Sequence, residues 1–127
     1  MSEYIDKIRF NAEIAEDYFS EKLAFTLGPV ELKKMLEDNK VKLIDVRAKA
    51  DYAESHIPEA ISIPKDEIVA NFDKLSKDDV HVVYCYNQQC HMGAAAALIL
   101  AKNGYPAMDL EGGFKVWTQD FNFEVEK

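Results

Sequence analysis

Residues 82–104 read VVYCYNQQCHMGAAAALILAKNG, and the passage from one pattern to another inside this stretch decides the fold. The segment before the loop, VHVVYC at 80–85, is β-branched and aromatic on both faces, as an interior strand of a parallel sheet requires. From Met92 to Asn103 the chain turns to alanines and long aliphatic residues, and Gly104 supplies a C-terminal stop, which predicts a helix over 92–103. Ala94 to Ala97 let that helix approach a sheet closely. Both cysteines of the chain, Cys85 and Cys90, fall where the strand gives way to the helix.

The same alternation extends outward. VKLIDV at 41–46, AISI at 60–63 and AMDL at 107–110 read as further strands. Gly28-Pro29 opens a helix, residues 48–56 contain a helical turn, Ile68 to Phe72 form a short helix, and Phe114 to Asp120 follow the Gly112-Gly113 turn as a last one. Strands alternating with helical segments predict an α/β fold with a central parallel sheet flanked by helices in three layers. Ahead of it, Ile5, Ile8, Ile14, Tyr18, Phe19 and Leu23 are spaced as amphipathic turns that pack on the main body. The expected organisation is an N-terminal helical extension over 1–24 and one domain over 25–127.

The chain has 127 residues and is 48% hydrophobic, enough for one domain with a core that needs no staple. A net charge of −8 argues against nucleic-acid binding, and no apolar run is long enough to span a membrane. With a charged N-terminus and no apolar leader, the expected location is cytoplasmic. In a reducing compartment two cysteines point to chemistry or plain packing before a structural bridge.

Sites in open parallel sheets gather beyond the carboxyl ends of strands. Cys85 is at such an end, and its loop leads to a helix N-terminus, where N–H groups and the dipole favour a thiolate and can hold an anion. The competing reading is a buried cysteine acting as a small hydrophobe. His91 in the loop is either a partner for a thiolate or a solvated side chain. Zinc is disfavoured, because Cys85, Cys90, His91 and His81 lack ligand spacing. No metal and no cofactor are expected.

Three stretches carry a resemblance to the rhodanese-like domain family: LIDVRAKADYAESHIPEAISIP at 43–64, the strand, loop and alanine-rich helix of 82–105, and LEGGFKVW at 110–117. The resemblance implies the rhodanese-like three-layer α/β fold and sulfur transfer. Cys85 would take the outer sulfur of a small donor anion such as thiosulfate, or of a persulfide, and pass it from its own persulfide to cyanide or an acceptor thiol, which can belong to a protein. Tyr86, Asn87, Gln88, Gln89, His91 and Met92 would shape the pocket. Asp45, Arg47 and His56 would be structural near the site, with Arg47 paired to a carboxylate such as Glu54. The loop departs from the family pattern in having no Arg or Lys and about two extra residues. That leaves Cys90 as the alternative or resolving thiol. Related phosphatases place Arg six positions after the cysteine, where this chain has His91, so phosphoryl chemistry is disfavoured. Besides sulfur transfer, a non-catalytic module that binds a protein partner and a thiol-redox role for the Cys85/Cys90 pair remain as functions.

Overall fold

The computed structural model describes residues 2–127. Five parallel strands form one sheet: β1 (Thr26–Leu27), β2 (Lys42–Asp45), β3 (Ile61–Ser62), β4 (His81–Tyr84) and β5 (Ala107–Leu110). Their order is β1-β5-β4-β2-β3, so β4 is central and the two shortest strands form the edges. The helices are α1 (Ser2–Arg9), α2 (Ala12–Phe25), α3 (Pro29–Glu37), α4 (Lys49–Glu54), α5 (Met92–Lys102) and α6 (Gly113–Lys115), the last continuing with wider π-type turns over Val116–Asp120. The segment expected as a helix at 68–72 is two 3-10 pieces, Lys65–Glu67 and Val69–Lys74.

β4 is buried along its whole length. Its period of two divides the core into two halves. Val82 and Tyr84 face a cluster with Leu32, Leu43, Ile57, Leu110 and Trp117. Val83 and Cys85 face the other, with Ile44, Ile63, Ile68, Ala96 and Leu100. Gly93, Ala96 and Leu100 are the buried face of α5, so its smallest side chains bring it down on the sheet at the cysteine. The expected α/β three-layer architecture with helices ahead of it is the one observed.

Two differences from the sequence expectation concern position. β1 is formed by residues with no strand pattern of their own, paired to β5 through Thr26↔Asp109 and Leu27↔Leu110. The apolar residues of the first two helices do not pack inward as expected. Ile5, Ile8, Ile14, Tyr18, Phe19 and Leu23 are all exposed, Leu23 by 80%. The main contacts of α2 with the body are at β1 and β5, and the apolar spacing of the two helices is a surface feature.

Across the carboxyl ends of β2 and β4 lies a buried polar network. Arg47 Nη2 reaches Asp45 Oδ2 at 2.8 Å and the Ser55 carbonyl at 2.7 Å. Tyr84 Oη donates to Asp45 Oδ2 at 2.8 Å and accepts from the Ile57 N–H at 3.1 Å. The carboxylate partner of Arg47 is therefore Asp45, not Glu54, which is exposed at the end of α4. Burial on its own would pull the guanidinium pKa down. Hydrogen bonds and charge from Asp45 outweigh it and leave Arg47 above its ordinary value. Burial, reinforced by Asp45, likewise pushes the Tyr84 phenol far up. Removing the cation by Arg47→Met strands a buried carboxylate, and the expected loss is about 3–5 kcal/mol in urea unfolding.

Candidate active site

Cys85 follows the last residue of β4 and is 3% exposed. The chain then needs a loop before α5 begins at Met92, and the side chains of Tyr86, Asn87 and Gln88 each have partners. Tyr86 Oη donates to Asp51 Oδ2 and accepts from the Ala48 N–H. The Asn87 side chain accepts from the N–H groups of Gln89 at 3.0 Å and Cys90 at 3.1 Å, and its carbonyl also accepts from Cys90. Gln88 accepts from the Gly112 N–H at 2.8 Å and donates to Glu111. The loop is thus pinned to α4 on one side and to the segment before α6 on the other.

The Asn87 turn folds the chain back on itself. It brings Cys90 over Cys85 with a Cα–Cα separation of 6.4 Å, and the two are joined as a disulfide. The sequence favours chemistry or packing over a structural bridge but leaves a Cys85/Cys90 redox pair open, and the structure has the two sulfurs bonded. A loop this short gains only about 2 kcal/mol from closure in the chain-entropy model, less than half of what a long loop gains. A stapling role is therefore weak, and the pairing matters more for the reactivity of the sulfurs.

α6 clasps the base of the loop. Its Phe114 N–H donates to the Cys85 carbonyl at 2.8 Å, and Lys115 N–H donates to the Tyr86 carbonyl at 2.9 Å. Such an approach needs Gly113: a Cβ there would lie 2.7 Å from the Cys85 carbonyl oxygen, and its φ of +61° disfavours any side chain. The Phe114 ring carries Arg47 over its face at 3.9 Å, which connects the clasp to the buried ion pair.

A cavity of about 380 Å³ opens in front of the cysteines. Asn87, Gln88, Cys90 and His91 contribute to its wall, together with Tyr18 and Lys22 of α2 and Asp109 and Glu111 at the end of β5. Tyr86, Gln89 and Met92, expected to shape the pocket, are not among its lining residues. Asp45 and Arg47 lie behind it in the buried network. His56 is removed from it, with Nδ1 at 2.9 Å from the Tyr52 carbonyl and its ring stacked on Tyr52. His81 is at the opposite end of β4, against the Pro106 carbonyl.

Lys22, Asp109 and Glu111 were not singled out from the sequence. An acid near the carboxyl end of a parallel strand was the available signal for Asp109. Nothing local marks Lys22, because its place depends on how α2 crosses the pocket. Its ammonium is tied to Glu111 at 3.2 Å. Gly93 lets the Asp109 carboxylate sit against α5, since a Cβ at Gly93 would meet Asp109 Oδ1 at 2.7 Å and Cys85 Cβ at 3.8 Å. Burial pushes the Asp109 carboxyl up to about 6; Lys22 opposes the shift and Glu111 adds to it.

A model of the rhodanese-like domain matches residues 28–120, and the chain belongs to that family. It is 34% identical over 87 residues to the HTH-type transcriptional regulator Rv0324 of Mycobacterium tuberculosis, a match covering 68% of this chain and 38% of that protein. The chain therefore spans well under half the length of that curated relative. The BH2092 protein of Bacillus halodurans is 32% identical and superposes with a TM-score of 0.81 over 91% of this chain and 86% of that one, so the likeness reaches into α2. A rhodanese-like domain protein of Staphylococcus aureus is 29% identical, with a TM-score of 0.69 over 81% of this chain and 99% of that one.

Two predictions follow from this geometry. Gly113→Ala must displace the Cys85 carbonyl, and should lower stability by at least about 1–3 kcal/mol in chemical denaturation. Asp109 holds its proton more tightly folded than unfolded. Its contribution is therefore full below pH 3.8 and is lost as the pH rises through about 6. Relative to the parent, Asp109→Asn should gain on the order of 1 kcal/mol in unfolding free energy between about pH 4 and about pH 7, the value being reduced by solvent screening.

Proposed function

We propose that the chain is a sulfurtransferase that carries sulfane sulfur as a persulfide on Cys85. The observation that carries this reading is the position of Cys85 in a rhodanese-like domain. It stands beyond the carboxyl end of the central strand, against the first turn of α5, beside a cavity large enough for a small donor. The Cys85 thiolate attacks the outer sulfur of the donor. A bond forms between that sulfur and Cys85, the donor's own sulfur–sulfur bond breaks, and the leaving group departs with the electron pair. With thiosulfate the leaving group is sulfite; with a persulfide it is a thiol. Cyanide or an acceptor thiol then takes the sulfur and restores Cys85.

The pocket favours a persulfide over thiosulfate. Its carboxylates, Asp109 and Glu111, face a single lysine that Glu111 already engages, and the loop from Tyr86 to His91 has no cation. A dianion gains little there, whereas a persulfide carries less charge. The Cys85–Cys90 disulfide must be reduced before either donor can react. The reducing conditions of the cytoplasm would supply that state.

A second reading, a thiol-redox or regulatory module, is supported by that same disulfide and by the name of one relative, a transcriptional regulator. Intact-protein mass spectrometry separates the two. After reduction and exposure to thiosulfate or a small-molecule persulfide, the transferase gains one sulfur that cyanide removes and Cys85→Ser does not acquire. The gain should be faster from the persulfide. Failure of every donor to add sulfur would leave the redox module in its place.

A further inference from the structure

The Asn87 turn places a second sulfur where sulfur transfer alone has no need of one. Cys90 lies within bonding reach of Cys85, and both cysteines line the same cavity. They differ in access: Cys85 is 3% exposed, and Cys90 is only half-buried. The loop's hydrogen bonds fix this arrangement from both ends, through Asn87 to the Cys90 N–H and through the Cys85 carbonyl to Phe114.

We propose that Cys90 resolves the Cys85 persulfide, so that the chain reduces sulfane sulfur to hydrogen sulfide and is left as the Cys85–Cys90 disulfide. The inference rests on the persulfide reading of Cys85. In the resolving step the Cys90 thiolate attacks the inner sulfur, the one attached to the Cys85 Cβ. The bond between inner and outer sulfur breaks, and the outer sulfur leaves as hydrosulfide with the electron pair. The sulfane sulfur gains two electrons and the two cysteine thiols lose them, so the step needs no external oxidant or reductant. Its product is the covalent arrangement seen in the structure, held by the same backbone turn. Attack on the outer sulfur would only move the persulfide to Cys90.

A dithiol reductant closes the cycle. The accessible sulfur is Cys90, so a reductant thiol reaches it first and expels Cys85 as the leaving thiolate. The reductant's second thiol then releases Cys90. Resolution therefore returns the buried nucleophile free, ready for the next donor.

The test is a single turnover without reductant. Pre-reduced, desalted protein is mixed with one equivalent of glutathione persulfide, and released sulfide and intact mass are followed together, with Cys85→Ser as the blank. The parent should release close to one equivalent of sulfide above the blank and lose two hydrogens. Cys90→Ser and Cys90→Ala should release none and keep the added sulfur at least about tenfold longer. A parent that holds its persulfide as long as the Cys90 variants, without sulfide, overturns resolution and leaves sulfur transfer standing. Sulfide no greater than in Cys85→Ser also overturns resolution. Cys90 variants that take up no sulfur overturn both readings.

Discussion

The Asp45 carboxylate is fully buried and would cost several kcal/mol there without a partner. Arg47, two residues on, supplies the charge. The chain must then satisfy the rest of the guanidinium with the Ser55 carbonyl and the rest of the carboxylate with Tyr84. Through these bonds β2, β4 and the turn after α4 are held in one arrangement. Arg47 also lies on the Phe114 ring, and Phe114 donates to the Cys85 carbonyl. The backbone at the reactive cysteine is therefore fixed by a charge pair that does not line the cavity.

Close packing makes the second contribution. Gly93 and Ala96 let α5 lie against the sheet at the cysteine, and Gly113 lets α6 touch the base of the loop. The Tyr86, Asn87 and Gln88 side chains hold the loop's path. With Asn87 and Gln88 engaged in holding the loop, fewer of its side chains are free to recognise a ligand. Part of its wall therefore comes from α2 and from the end of β5.

The sequence makes the central elements legible because their signals are local. The β-branched run at 80–85, the alanines of α5 and Gly104 state their structure directly. β1 is hidden because two residues carry no period, and only pairing with β5 makes Thr26–Leu27 a strand. The apolar residues of α1 and α2 have helical spacing, but spacing does not say what covers a face. The partner of Arg47 was missed because Asp45 and Glu54 are both near in sequence, and burial chooses between them. The cysteine pairing was left open because it depends on the Asn87 turn, a backbone path that residue types alone do not dictate. Cys85, Cys90 and His91 were readable as pocket residues; Lys22 was not, since it comes from a different part of the chain.

The order of the strands has a further consequence. β1 and β3, at the two edges of the sheet, are each two residues long, while the three inner strands have four. A sheet ending in such stubs presents few unpaired backbone groups to another chain. Strand addition, the usual route by which exposed sheets polymerise, finds almost no template on either side. The longest hydrogen-bonding surfaces are enclosed, and Cys85 stands at the end of the most enclosed strand.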